Sequence, residues 1–305
     1  MIGVLLVNMG GARSPEEMKA FLACMFRDPR ILPFGKVFRN MLSFIISNAR
    51  YKSSWKKYEL IGGTPIIEAT RATMIALREE LNHSCSVKMA FSYSSPTIEE
   101  SMLAFKQEGI REIVVIPLYP QASFSTTGSV RDEIQRITAK VNTFDIRFKN
   151  EFFRHLGFID FWSKNITAHL KAQGLSSPYL LFSAHSIPQF MVDKGDTYPR
   201  AIEESAGLIA GSLGLAFGVT YQSGIRGSKW VGPDVKESLK LLTQKPEIVI
   251  IPISFVNENL ETLYDIDKVI IPYAKNELGI KQISRVGIPE ASDSFIRLLA
   301  DIVIK

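Results

Sequence analysis

Two stretches of this chain repeat one another: IVVIPLYP at 113–120 and IVIIPISF at 248–255. Each contains an unbroken apolar run that ends on a proline, the pattern of a strand buried on both faces of a parallel sheet. Their surroundings repeat as well, since FSYSSP (91–96) corresponds to TYQSGI (220–225). Strands are expected at Ile2–Val7, Val87–Phe91, Glu112–Pro117 and Asp145–Lys149. They recur in the same order at Tyr179–Phe182, Gly218–Tyr221, Glu247–Pro252 and Gln282–Gly287. Helical patterns at Pro15–Phe26, Ile66–Leu81, Ile98–Glu108, Val130–Val141 and Phe158–Gln173 alternate with them, as in chains that build parallel sheets from βαβ units. The first pair of strands lies further apart in sequence than the other three, so the first half carries an insertion that includes residues 34–60. The chain therefore reads as α/β, with two similar doubly wound domains at 1–155 and 156–305. Each is a parallel sheet flanked by helices, and the strand ends are expected to face a shared cleft.

Length and composition agree with that reading. The 305 residues suffice for two domains, and 46% hydrophobic with 22% charged residues is the balance of a globular protein with a sizeable core. MIGVLLVNMG has no basic start and meets Gly10 and Gly11 too soon for a secretory signal, and no apolar run is long enough for a membrane span. A cytoplasmic location is expected. Cys24 and Cys85 lie far apart, in no metal-binding spacing, so neither a disulfide framework nor a zinc or iron–sulfur site is indicated. The net charge of +5 points to an anionic partner or surface. No basic-aromatic recognition motif accompanies it, so nucleic acid is not expected.

The stretch most suggestive of chemistry is YLLFSAHSIP, 179–188. In open parallel sheets ligands bind beyond the carboxyl ends of the strands. Of the four histidines, only His185 follows a buried-type strand directly. The ordinary alternative is a histidine satisfied within a loop. A second stretch, ISFVNENLETLYDIDKV, follows the Glu247–Pro252 strand and carries Glu258, Glu261, Asp265 and Asp267 in a helical setting. Glu261 and Asp265, four apart, share a face, and Glu258 joins them from three before. Like charges at that spacing repel unless a cation sits among them. An imidazole and a carboxylate row on one rim make a station for a divalent metal such as iron, cobalt or zinc; a solvated acidic face is the plain alternative.

Three further segments admit two readings each. In the insertion, Phe34, Val37, Phe38, Met41, Leu42, Phe44, Ile45 and Ile46 accompany Arg39, Arg50, Lys52, Lys56 and Lys57. That is either a helix packed on its own domain or an amphipathic lip for a large apolar anion or a membrane surface. Asn8-Met9-Gly10-Gly11 and Thr126-Thr127-Gly128-Ser129 are glycine-bearing loops, but neither completes a nucleotide-binding motif. A helix start at the second cradles an anion or is simply capped.

Taken together, LLVNMGG (5–11), FRDPRILP (26–33), IGGTPI (61–66), IPLYPQxSxSTTGS (116–129), SAHSIP (183–188), YQS (221–223) and FVxxxxETLYDID (255–267) resemble the ferrochelatase family over nearly the whole chain. The resemblance implies two Rossmann-like domains around a porphyrin cleft and insertion of Fe²⁺ into a porphyrin, protoporphyrin IX or coproporphyrin III, in haem synthesis. Ferrous iron is then a substrate, and no permanently bound cofactor or iron–sulfur cluster is expected. It also implies His185 and Glu261 as catalytic residues, His185, Glu261 and Asp265 on the metal side, and Met9, Arg50, Tyr119 and Ser125 in contact with substrate. His185 is left as either base or metal ligand. A peripheral membrane contact is expected, and the oligomeric state is open. Asn259 stands where the family usually has a histidine, Val269 where it has a third acid, and Gly224 where it has a basic residue, Arg226 coming two later. A related chelatase loading cobalt or another metal into a different tetrapyrrole, or a non-catalytic porphyrin carrier, is the alternative.

Overall fold

The computed structural model describes residues 1–224 and 229–305; Ile225 and Arg226 thus lie outside the described residues. The chain forms two compact units, Met1–Glu151 with Ile296–Lys305, and Phe152–Phe295.

The first unit runs β1 (Ile2–Asn8), α1 (Pro15–Phe26), α2 (Lys36–Glu59), α3 (Pro65–Glu80), β2 (Cys85–Phe91), α4 (Ile98–Gln107), β3 (Glu112–Pro117), α5 (Thr127–Val141) and β4 (Asp145–Phe148). Its sheet has the order β2-β1-β3-β4, all parallel. On one face Leu5, Val7, Ile113 and Val115 meet Ile98, Met102 and Phe105 of α4 and Val130, Ile134 and Ile137 of α5. Ile67 of α3 packs with Met89 and Phe91 in a separate cluster. Burying each such side chain contributes roughly 1.5–3 kcal/mol, so the apolar runs that mark the strands also hold the sheet. Local signals start the helices. Ser14 caps α1 ahead of Pro15, and a reciprocal Thr97–Glu100 capping box opens α4.

The second unit repeats the plan. It runs α6 (Leu156–Gln173), β5 (Tyr179–His185), α7 (Gln189–Asp193), α8 (Tyr198–Leu213), β6 (Phe217–Gln222), α9 (Val235–Leu241), β7 (Glu247–Ile251), a π-helix (Glu261–Ile270), α10 (Ile271–Asn276) and β8 (Gln282–Arg285). The sheet order is β6-β5-β7-β8, again all parallel. Leu181, Ile248, Ile250 and Ile283 pack with Val235, Leu239, Ile266, Ile270 and Ala274.

Three details differ from the sequence reading. The last helix, α11 (Asp293–Ile304), has its final residues in the first unit, where a boundary at 156–305 would put them in the second. Ile296, Leu298, Leu299, Ile302 and Val303 of this helix are all buried, so it lies within a core rather than across a surface. The acidic segment is wound as a π-helix over ten residues, a winding usually confined to short bulges and often found at functional sites. The insertion is the 24-residue α2, and it buries Ser43 and Ser47 rather than its large apolar residues. Those small residues let α2 lie close on α1, where the Ser43 hydroxyl donates to the Ala23 carbonyl at 2.8 Å.

Candidate functional site

His185 is the last residue of β5, so its ring stands at the carboxyl edge of the second sheet. It is held at three points. Its backbone N–H donates to Ser254 Oγ at 3.2 Å, and its carbonyl accepts from the Tyr198 hydroxyl at 3.1 Å. Its ring Nδ1 lies 2.6 Å from the Ser186 carbonyl oxygen. A carbonyl only accepts, so Nδ1 carries the proton and, in the neutral ring, the lone pair is on Nε2. Burial keeps the Tyr198 hydroxyl protonated by pushing its pKa well above the ordinary range, against a hydrogen bond from Ser254 that pulls it down. The other histidines have structural positions: His155 caps α6, His169 bonds Ser284 at 2.8 Å, and His83 sits in a left-handed turn.

Directly across the ladder from His185 is Gln222, the end of β6. Its carboxamide is 1% exposed and bonds in two directions. Oε1 accepts from Ser183 Oγ at 2.7 Å, and Nε2 donates to the Glu261 carbonyl at 3.2 Å. One buried side chain therefore ties the first residue of the π-helix to β5 and β6. The next residue, Ser223, donates from Oγ to Asp265 Oδ2 at 2.9 Å. His185, Glu261 and Asp265 are thus linked through β5, β6 and the π-helix within one unit.

The other two acids do not join them. Arg285, with a side chain only 7% exposed, binds Asp267 through Nε and Nη2 at 2.8 Å each and Glu258 through Nη1 at 2.8 Å. Burial works against its charge, but the bonds to Asp267 and the charge of Glu258 outweigh this and hold its pKa above the usual value. Glu258 also accepts from the Ile288 N–H at 2.9 Å and from the Thr262 hydroxyl. The row of Glu258, Glu261 and Asp265 expected from spacing is therefore corrected, because Glu258 turns to Arg285. Glu258 and Asp267 share the one positive charge of Arg285, the Asp265 carboxylate is bonded to Ser223 after β6, and Glu261 is tied to β6 through its backbone carbonyl. The spacing rule misses this because the partner comes from β8, remote in sequence. Among the described residues, no three His, Cys, Asp or Glu side chains form a group able to hold a metal ion.

Asn259 caps the acidic helix. Its Oδ1 accepts from the Thr262 N–H at 3.0 Å, and its own N–H donates to Thr262 Oγ1 at 3.0 Å, the reciprocal arrangement that satisfies a helix start. A carboxamide is well suited to that task. Val269 is half-buried on the same helix.

In the first unit, Met9 and Tyr119 follow β1 and β3, adjacent strands paired through Val7 and Pro117. Met9 takes part in an apolar cluster with Phe21, Leu22, Tyr51, Trp55 and Tyr93. Tyr119 packs against the α4–α5 side of the core, and burial raises its pKa beyond the ordinary range. Ser125 precedes α5 and lies 3.3 Å from Ser123, hydroxyl to hydroxyl. Arg50 is exposed on α2, next to Tyr51 of the Met9 cluster. The two glycine loops have packing explanations. Gly10 has φ +86°, and a Cβ there would meet Ser94 Oγ at 2.2 Å; one on Gly11 would meet Thr64 Cγ2 at 2.2 Å. At the start of α5 the Thr127 hydroxyl closes a ring with the Ser123 backbone at 3.0 and 3.1 Å, while Thr126 at the N-cap makes no side-chain capping bond.

The residues that sequence reasoning missed are Gln222, Ser223, Tyr198, Ser254 and Arg285. Only Gln222 and Ser223 carried a signal, as part of the YQS stretch. The family model described as Ferrochelatase matches residues 1–305. A ferrochelatase of Aquifex aeolicus is 36% identical over 99% of this chain and 98% of its own length. One of Geobacter metallireducens is 36% identical over 99% and 97%. Among solved structures, SirB from Bacillus subtilis with Fe³⁺ superposes with a TM-score of 0.62 at 13% identity, covering 98% of this chain and 94% of that one. That last likeness speaks for the fold alone.

Proposed function

Because this chain belongs to the ferrochelatase family, which inserts Fe²⁺ into a porphyrin for haem synthesis, we propose that His185 and Glu261 carry its reaction. Metallation exchanges one ferrous ion for two pyrrole protons. Those protons are weakly acidic in a flat macrocycle, and bending the ring exposes the nitrogen lone pairs at the expense of binding energy. His185 supplies a base of fixed tautomer. With Nδ1–H spent on the Ser186 carbonyl, Nε2 accepts a pyrrole proton without first having to reorient. Glu261 takes that proton onward, which frees Nε2 to accept the second pyrrole proton, and Asp265 holds the incoming metal through its carboxylate. Met9, Tyr119, Ser125 and Arg50 contact the porphyrin, the apolar groups against the ring and Arg50 toward a carboxylate.

The single observation that carries this reading is the hydrogen bond that pins the imidazole proton on Nδ1. The test is anaerobic incubation with Fe²⁺ and either protoporphyrin IX or coproporphyrin III, following loss of free-porphyrin absorbance in wild type and Glu261→Gln. Turnover in the wild type and a loss of about 10²–10⁴-fold in the variant are expected. Equal rates would remove Glu261 from the chemistry.

The same reading places α2 against a membrane surface, where porphyrins partition. Phe34, Val37, Phe38, Met41, Phe44 and Ile45 are exposed, Val37 to 86%, while Arg39, Arg50, Lys52, Lys56 and Lys57 supply positive charge along the same helix. Apolar groups ringed by basic ones suit anionic lipid headgroups. No helix among the described residues is long and apolar enough to cross a membrane. Co-sedimentation with phosphatidylglycerol vesicles that is lost in Val37→Ser/Phe44→Ser is the expected result. Equal sedimentation of both proteins would exclude this face.

A further inference from the structure

The peptide unit between His185 and Ser186 is clamped at both ends. Its N–H, on Ser186, donates to the Gln222 carbonyl of β6 at 2.9 Å. Its carbonyl, on His185, accepts from the hydroxyl of Tyr198, the first residue of α8, at 3.1 Å. A peptide unit is planar, so two bonds at its opposite ends fix its rotation. The next carbonyl along the chain, that of Ser186, is the one that receives the imidazole proton at 2.6 Å. The Ser186 hydroxyl, bonded to the Val231 carbonyl at 2.7 Å, holds the residue by its side chain.

Tyr198 takes no part in the chemistry proposed above, yet several groups fix it. It is buried, and its backbone N–H donates to Asp196 Oδ1 at 3.0 Å, just after Gly195 turns the chain at φ +99°. Its phenol oxygen also receives a hydrogen bond from the Ser254 hydroxyl. That same Ser254 oxygen accepts from the His185 N–H at 3.2 Å. These bonds close a ring that runs in one direction. It passes from the His185 N–H to Ser254, from the Ser254 hydroxyl to Tyr198, and from the Tyr198 hydroxyl back to the His185 carbonyl. A hydroxyl that accepts one bond donates the next more strongly, so the ring acts as a unit. It begins and ends on the backbone of the residue whose side chain is read as the base.

We propose that Tyr198 and Ser254 are positioning residues for the reaction, holding the backbone of His185 so that its ring proton stays on Nδ1 and its Nε2 lone pair stays free for a pyrrole proton. This rests on the reading of His185 as the base. Neither residue touches porphyrin or metal in this role. Their loss should therefore lower kcat and leave the KM for each substrate as it is.

The test compares Tyr198→Phe, Ser254→Ala, their double variant, Ser254→Thr and His185→Ala in the full chain. Nitrogen-15 NMR of histidine-labelled protein reads the tautomer of the neutral ring. The chain has four histidines, and the signals lost in His185→Ala identify this one. Insertion of Fe²⁺ gives kcat and both KM values, and thermal melting checks the fold. The wild type should show the Nδ1–H tautomer alone. Tyr198→Phe and Ser254→Ala should each show the Nε2–H tautomer beside it, with kcat lowered roughly three- to tenfold, the size of one lost hydrogen bond. The double variant should be no slower than the slower single one, because either change opens the same ring. Ser254→Thr keeps the hydroxyl and should keep the wild-type tautomer and kcat. Tyr198→Phe, the milder change, decides the matter if Ser254→Ala melts below the assay temperature. A wild-type tautomer in Tyr198→Phe would overturn the proposal whatever its rate, and a collapse of insertion in His185→Ala would then leave the base reading standing. A shifted tautomer with wild-type kcat would also overturn it, and an active His185→Ala would take the base reading with it. Losses that multiply in the double variant would overturn the ring as a unit.

Discussion

The last rung of the first sheet pairs Asn8 with Phe91, and that of the second pairs His185 with Gln222. The two sheets have the same strand order and the same parallel ladders, so these residues occupy the same place in a repeated frame. In the first unit the rung is turned inward. Asn8 bonds Thr70 at 3.1 Å and the Met9 N–H at 2.8 Å, and Phe91 is fully buried in an apolar cluster. In the second unit the rung holds an imidazole and a carboxamide that reaches out to the acidic helix. The strand end proposed to carry the chemistry spends its side-chain hydrogen bonds on its neighbouring loop, strand and acidic helix. Its counterpart in the first unit is a structural corner, with its side chains turned to the core.

The edge strands show a parallel contrast, and it supplies the largest expected effect. Arg285 of β8 is buried between Asp267 and Glu258, while Arg147 of β4 pairs with Glu112 at 2.9 Å with both side chains more than a third exposed. Removing one member of a buried ion network costs about 3–5 kcal/mol, because the remaining charges are left unpaired. An exposed pair is worth about 0–1 kcal/mol. Urea unfolding should therefore show Arg285→Ala far less stable than Arg147→Ala. Similar losses would mean that the acids around Arg285 are solvated and the division of the acidic row is wrong.

Next in size is the rung itself. Asn8→Ala leaves the Met9 N–H and Thr70 without their partner and should cost about 1–3 kcal/mol in the same unfolding experiment. Metallation per folded molecule should stay within about twofold of wild type, less than the effect of one lost hydrogen bond. A stable Asn8→Ala protein with strongly reduced turnover would show that the first rung also takes part in the chemistry.

The smallest effect concerns α2. Replacing Val37 and Phe44 by serine should shift stability by less than about 0.5 kcal/mol, the range for exposed positions, even though two large apolar groups are lost. A large drop in melting temperature would show that this face is core rather than surface, which would bring the insertion into line with the other helices.

How much of this was readable beforehand follows the range of each signal. The strands announced themselves through local apolar runs, and the repeat of IVVIPLYP in IVIIPISF gave away the duplicated topology. The helical patterns at Pro15–Phe26 and Ile98–Glu108 were local as well, and the caps at Ser14 and Thr97 that start them involve residues only three positions apart. His185 stood out because a strand end is visible in one dimension. The pairing of Arg285 with Glu258 and Asp267 was hidden, since it joins β8 to residues 18 and 27 positions away. The winding of Glu261–Ile270 was hidden too, because a π-helix and an α-helix place apolar residues at similar intervals. On α2 the sequence left a packed helix and an exposed lip both open, and the two serines, small enough for close approach to α1, are what it buries.

The most direct test is His185→Ala, measured for two things in one preparation. Porphyrin binding is followed by quenching of porphyrin fluorescence, and iron insertion by single-turnover absorbance with Fe²⁺ under anaerobic conditions. With His185 as the base at the second rung, the variant should bind porphyrin as wild type does and insert iron about 10²–10⁴-fold more slowly, the usual contribution of a positioned general base. Insertion at a rate near wild type by a variant that binds porphyrin normally would contradict it and place the chemistry elsewhere on the chain.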